Sequence, residues 1–102
     1  MLLPDGDSVG VRPGAIVVIG RESPDARIAG NLAQYDGVSR RHAQLAVEDT
    51  GVTLVDIGST NGTRVDGLPV SRVPLTLGPG EHQVHLGKTA VVVIDVVAGG
   101  QA

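Results

Sequence analysis

The feature that most restricts this 102-residue chain is its punctuation. Short apolar segments with period-2 alternation are separated by a turn signal roughly every eight to twelve residues. "VGVR" (Val9–Arg12) meets the Pro13-Gly14 turn and is followed by "AIVVIG" (Ala15–Gly20). "AQLAVE" (Ala43–Glu48) turns at Asp49-Thr50-Gly51 and resumes as "VTLVDI" (Val52–Ile57). "TRV" and "PV" flank Asp66-Gly67, and "LTL" (Leu75–Leu77) precedes Gly78-Pro79-Gly80. "HQVHLG" and "AVVVIDVV" close the series through Lys88-Thr89. Segments of this length cannot bury a face alone. They predict an all-β domain, a β-sandwich of two mainly antiparallel twisted sheets, with its loops gathered at two ends.

Composition supports that class and removes others. Val, Leu, Ile and Ala supply nearly all the apolar content; Phe and Trp are missing and Tyr35 is the only aromatic residue. Each fully buried Val, Leu or Ile is worth about 1.5–3 kcal/mol, so an aliphatic core suffices. The formal charge is −3, which offers no broad basic field to nucleic acid or anionic lipid, and base stacking lacks its aromatic platforms. Without cysteine there are neither disulfides nor thiolate metal sites. The apolar run Ala90–Ala98 is broken by Asp95 and too short to span a bilayer, and Met1-Leu2-Leu3-Pro4 lacks the form of a signal peptide. A cytoplasmic, monomeric module is expected: a single domain over residues 1–97 with its core in 15–97. Residues 98–102, from the closing "AGGQA", read as a tail or the start of a linker. One stretch hints at helix. Ser23-Pro24-Asp25 can cap "ARIAGNLAQY", but Gly30 interrupts it, and a strand near Ala26–Ala29 is the preferred reading.

Three polar clusters beside turns are not needed for the core. Gly20 and Arg21 follow the first strong strand; Ser39, Arg40, Arg41 and His42 lead into the next; "DIGSTNGTRVDG" spans Asp56–Gly67. Reversing the chain requires Asn-Gly or Asp-Gly alone, so the surplus hydroxyls and amide imply a held ligand. If the loops converge, Arg21 and Arg40 bring permanent charge and planar donor forks. Ser39 and Thr60 bring hydroxyls, and Gly58, Ser59 and Thr60 can turn successive N–H groups toward one point. A compact, multiply charged oxyanion, phosphate above all, wants this combination. Asn61 carries both an amide donor and an acceptor, suited to a peptide main chain. Ser59 and Thr63 are read as hydroxyls that steady their own loop.

Taken in order, "GR" at a strand end, "SRRH", and "STNGT" after an aspartate resemble the signature of a forkhead-associated (FHA) domain, over roughly Ala15 to Val97. The resemblance implies a β-sandwich of about eleven strands that binds phosphothreonine peptides through loops at one end. Carried onto this chain, it gives Arg21, Ser39 and Thr60 to the phosphate, with Arg40 assisting. Asn61 takes the peptide backbone, and Gly20, His42 and Gly62 serve as scaffold. The expected partner is therefore a phosphothreonine-containing protein in Ser/Thr kinase signalling, with no cofactor and no metal. One departure stands out. The stretch between Arg21 and Ser39 is a few residues longer than the family pattern, near "AGNLAQYDG".

The competing reading is an FHA-like scaffold that docks or self-associates independently of phosphorylation. A hydrolase built from Ser39, His42 and Asp56 would need nucleophile, base and acid within hydrogen-bond reach, and no nucleophile elbow is present. His82 and His85, three apart on a strand, point to opposite faces and make a poor chelate. Tyr35 is either a packing anchor or a ligand contact.

Overall fold

The computed structural model describes residues 1–97, so the expected tail at 98–102 lies outside the described residues. The elements in chain order are β1 (Ile16–Ile19), α1 (Ala26–Leu32), β2 (Ala43–Glu48), β3 (Gly51–Asp56), β4 (Thr63–Val65), β5 (Leu68–Val70), β6 (Leu75–Leu77), β7 (Gly80–Leu86) and β8 (Ala90–Val96). They form two four-stranded sheets, β1-β2-β3-β6 and β5-β4-β7-β8, and every pairing is antiparallel. The inward positions are mainly aliphatic: Ile19, Leu45, Leu54, Val84, Leu86 and Val92 are essentially inaccessible, with Asp56 and Thr63 as buried polar exceptions at the strand ends. Tyr35 packs against this core as a partly buried anchor. The core also reaches back before residue 15, because Leu3 and Val9 are buried in it.

Two expectations are corrected. Among the described residues there are eight strands, not about eleven. Within residues 1–10 of the N-terminal arm, the β-pairing consists of the isolated bridges Leu2↔Ser8 and Leu2↔Val93. Val9–Arg12 builds no ladder there, and the Val9 N–H donates to the Met1 carbonyl (2.8 Å). The second correction concerns Ala26–Ala29, which is helical instead of extended. Asp25 caps the helix, its carboxylate accepting from the Arg27 N–H at 2.9 Å. Ile28 and Leu32, four residues apart, share one face and are fully buried. Gly30 lies exposed with open space around it, where its entropic cost is about 1 kcal/mol and is outweighed by that burial.

Antiparallel pairing decides where the loops go. β1, β3, β5 and β7 end, and β2, β4, β6 and β8 begin, at the same end of the sandwich. The four connections 20–42, 57–62, 71–74 and 87–89 therefore cluster there. Six of the eight Lys and Arg residues, but only three of the eleven Asp and Glu residues, lie in those connections. That end is net positive on a chain that is −3 overall.

Candidate functional site

The three polar clusters separated in sequence are stitched into one surface. Where β1 ends, the Arg21 N–H donates to the Ser39 carbonyl (3.2 Å) and the Glu22 N–H to the Arg40 carbonyl (2.9 Å). Gly20 makes this approach possible: a β-carbon there would lie 2.2 Å from the Arg40 carbonyl oxygen. The Arg21 side chain donates from Nε to the Val38 carbonyl at 2.6 Å, which fixes the stem of the guanidinium. One further link closes the group, with the Thr60 N–H donating to Ser39 Oγ at 3.0 Å. Arg21, Ser39 and Thr60 thus belong to one hydrogen-bonded unit.

His42 is the brace between the loops. It is fully buried; its Nδ1 accepts from the Ser39 N–H (2.9 Å) and its Nε2 lies 2.8 Å from the Gly62 carbonyl. Those partners require the neutral ring with the proton on Nε2. Burial holds the imidazole below its ordinary pKa, opposed by the Gly62 hydrogen bond and the Asp56 charge. With both nitrogens spent on backbone groups, His42 makes no hydrogen bond to a hydroxyl that it could activate. The hydrolase constellation is therefore not assembled.

Asp56 organises the third loop, a role the sequence reading did not give it. Its carboxylate accepts from the Gly58 and Ser59 N–H groups (both 2.8 Å), from Thr63 Oγ1 (2.8 Å) and from Ser59 Oγ. Burial alone would raise this carboxyl, and the bonds from Ser59, Thr63 and Gly58 more than reverse it. Ser59 Oγ also accepts from the Gly62 N–H at 3.0 Å. Ser59 and Thr63 steady their own loop, as read from the sequence. The available signal for Asp56 was its place just before a run of small hydroxyl residues.

The remaining candidates lie on the same end with different partners. Asn61 donates from Nδ2 to the Gly37 carbonyl (3.1 Å), so one donor is held by the chain's own loop and Oδ1 is oriented by it. Gly37 itself sits tightly against the β7–β8 turn, where a β-carbon on Gly87 would lie 2.2 Å from the Gly37 carbonyl oxygen. Gly62, at φ +87°, occupies the left-handed region that its turn requires. The Arg40 Nε pairs with Glu22 at 3.6 Å, both side chains being largely exposed, and such a pair is cheap to open. Arg41 is exposed. His82 and His85 lie on opposite faces of β7, with His82 at the far end of the sandwich between Asp66 (2.7 Å) and the Gly78 carbonyl (2.7 Å) and His85 near the strand's other end, paired with Arg64 of β4. Among the described residues no group of three or more His, Cys, Asp or Glu side chains could hold a metal ion, and no helix is long and apolar enough to cross a membrane.

Comparison with known proteins identifies the architecture. The FHA domain family matches residues 17–87. Of solved structures, the FhaA FHA domain complexed with the intracellular domain of Rv3910 is 33% identical, with a TM-score of 0.69, covering 91% of this chain and 96% of that one. A structure from a study of phosphothreonine-dependent FHA domain interactions is 34% identical with a TM-score of 0.69, covering 90% of each chain. Among curated proteins, the glycogen accumulation regulator GarA of Mycobacterium tuberculosis is 42% identical over 55 residues, 54% of this chain and 32% of GarA. The oxoglutarate dehydrogenase inhibitor of Corynebacterium diphtheriae is 40% identical over 58 residues, 57% of this chain and 38% of that protein. The matched stretch spans about a third of the length of these curated relatives.

Proposed function

Because this chain belongs to the FHA domain family, we propose that it is a non-catalytic module that binds phosphothreonine in a partner protein. One observation supports this reading above the rest: Arg21, Ser39 and Thr60 are drawn into one unit at the positive end of the sandwich. In this reading the guanidinium of Arg21, anchored through Nε, presents its outer nitrogens to the phosphate. The Ser39 and Thr60 hydroxyls donate to the remaining oxygens. Arg40 leaves the weak pair with Glu22 to assist. Asn61, held through Nδ2, offers Oδ1 to an N–H of the peptide main chain. Gly20, His42 and Gly62 keep the loops at these spacings and touch no ligand.

Phosphothreonine brings about −1.5 to −2 charge at neutral pH together with several acceptor oxygens. Three or four charge-assisted bonds at about 1.5–3 kcal/mol each, less the cost of ordering a peptide, correspond to roughly micromolar affinity, about −8 kcal/mol. The unmodified peptide lacks these bonds, so phosphorylation acts as the switch. The two curated relatives are named as a regulator and an inhibitor. We extend from this only that the chain works as a cytoplasmic signalling adaptor, a single module over residues 1–97.

Calorimetric titration with one phosphothreonine peptide, its unphosphorylated twin, and the Arg21→Ala variant tests the proposal. The expected result is micromolar binding of the phosphopeptide alone, weakened at least a hundredfold in Arg21→Ala with an unchanged circular dichroism spectrum. Equal affinity for both peptides would instead establish phosphorylation-independent docking.

A further inference from the structure

A bare sheet edge invites another strand, because its N–H and C=O groups lack partners. Folded chains blunt such edges with proline, charge, brevity or a covering segment. The two sheets present the edges β1, β6, β5 and β8. All but one are blunted. β5 carries Pro69 at its centre. β6 has only three residues and lies between Pro74 and Pro79. β8 is capped at Val93, whose N–H and carbonyl bond with Leu2 (3.0 and 2.7 Å), and it carries the exposed Asp95. β1 has none of these devices: it reads Ile16-Val17-Val18-Ile19, all β-branched and uncharged. The Val47 N–H donates to the Ala15 carbonyl at 3.0 Å, so by the alternation of the ladder residues 15, 17 and 19 bond to β2. The N–H and C=O groups of Ile16 and Val18 therefore point outward, and no other described segment makes a backbone hydrogen bond to them. Ile16 itself is 67% exposed.

We propose that the free edge of β1 pairs with the same edge of a second copy of this chain, forming a two-fold symmetric dimer. The segment is its own complement. It reads the same in both directions, and an antiparallel register with Val17 opposite Val17 sets Ile16 of each copy against Val18 of the other. The outward N–H and C=O groups of both residues are then bonded. Val17 and Ile19 pack inward, so the side chains of Ile16 and Val18 stand on the outer face and gain apolar contact across the junction. Charge permits the approach. Behind Ile16 lie Ala46 and Thr53, and behind Val18 lie Gln44 and Val55, so the rows that meet carry no charge on a chain that is −3 overall. An uncharged edge favours a neutral, β-branched strand, and β1 is itself such a strand. The contact is small, below the roughly 1,200 Å² of a standard stable complex, so association is weak and reversible. The copies run antiparallel, so their binding loops face opposite ways, with the two Arg21 positions about 27 Å apart along the strands. Pairing leaves both sets of loops open and does not depend on what they bind.

Sedimentation equilibrium and NMR amide exchange on wild type and Ile16→Lys, between about 20 μM and about 1 mM, test the pairing. The weight-average mass of wild type should climb toward that of two chains. Its Ile16 and Val18 amides should exchange about threefold more slowly at the top of the range than at the bottom. Ile16→Lys changes an exposed side chain, so its circular dichroism spectrum should match wild type. It sets cations beside the two-fold axis, so its mass should stay that of one chain and its Val18 amide should lose the concentration dependence. A wild type that stays a single chain throughout overturns the proposal, as does association undiminished in Ile16→Lys. Association with unchanged exchange at Ile16 and Val18 also overturns it, and assigns the interface to another surface. Each of these results leaves the phosphothreonine reading standing, because peptide titration tests that separately.

Discussion

Two glycines show how differently one residue type can act within ten positions. A methyl group added at Gly20 would meet the Arg40 carbonyl carbon and oxygen at 2.8 and 2.2 Å, both backbone atoms that cannot swing aside. Relief must come from separating the Gly20-Arg21 and Ser39-Arg40 segments, the same pair that holds the proposed phosphate contacts. Gly20→Ala is therefore expected to destabilise the domain by about 1–3 kcal/mol, as overpacking does, and to weaken phosphopeptide binding in parallel. Gly30 presents the opposite case, a helix-interior position with nothing within 4 Å of its would-be β-carbon. Gly30→Ala should stabilise by about 0.5–1 kcal/mol through backbone entropy alone and leave affinity untouched. Urea unfolding of the two variants beside wild type checks both signs. A Gly20→Ala protein as stable as wild type would mean that the strand-end approach is looser than these distances require. The sequence carried both glycines, but only the family resemblance marked Gly20. Gly30 was read as an interruption because a lone glycine says nothing of whether its face is solvent.

At the scale of elements, the strands were legible and the extended connection was not. β2, β3, β7 and β8 follow alternation that any half-buried strand must show, and their turns announce themselves as Asp-Thr-Gly or Gly-Pro-Gly. The helix α1 has few residues and no acidic residue in its first turn, so its local signal is the Asp25 cap and the spacing of Ile28 and Leu32. What fixes it is tertiary: both of those side chains are fully buried against the sandwich. The extra length between Arg21 and Ser39 becomes a structural strut. Residues 33–38 hang from the helix and supply the Val38 carbonyl to Arg21 and the Gly37 carbonyl to Asn61. Of the site, the residue set was legible through the ordered motifs, whereas its linkage was not. Asp56 as hub and Gly37 as the holder of Asn61 depend on contacts between distant loops. Leu32→Ala follows from the strut: a loss of about 2–5 kcal/mol from the vacated core volume. It should also cut phosphopeptide affinity several-fold in the fraction that stays folded, because the carbonyls that orient Arg21 and Asn61 lose their support. Chemical denaturation gives the first quantity and titration below the unfolding transition the second; full affinity in Leu32→Ala would detach the helix from the site.

Across the whole molecule, two histidines near opposite ends of the sandwich answer pH with opposite sign. His42 at the binding end is held below its ordinary pKa, burial being the largest cause. The unfolded chain then binds the proton more readily, so this stabilisation is full above about pH 6.5 and fades as pH falls through the lowered value. Protonation would also set an Nδ1–H against the Ser39 N–H that it now accepts from, loosening the loops. His82 at the far end is raised, first by its hydrogen bond to the Gly78 carbonyl and then by its bond to Asp66. Between two acceptors the ring satisfies both only as the cation. Its contribution is therefore full below about pH 6.5 and lost as pH rises through the raised value. Taken alone, the two histidines favour the range around pH 6.5, with separate causes for the two flanks. Asp66→Asn separates them. Residue 66 sits at φ 50°, a conformation that asparagine tolerates, so the turn should survive. The variant's thermal unfolding midpoint should fall less than wild type's between pH 6.5 and 8.5, and as much as wild type's between pH 6.5 and 5. Its affinity for a phosphopeptide at pH 7.5 should not change, because the His82–Asp66 pair lies by the 66–67 and 78–79 turns, at the end opposite the binding loops. Superimposable pH profiles for the two proteins would remove His82 from the alkaline flank, and a simultaneous loss of affinity would show that the two ends of the sandwich are mechanically coupled.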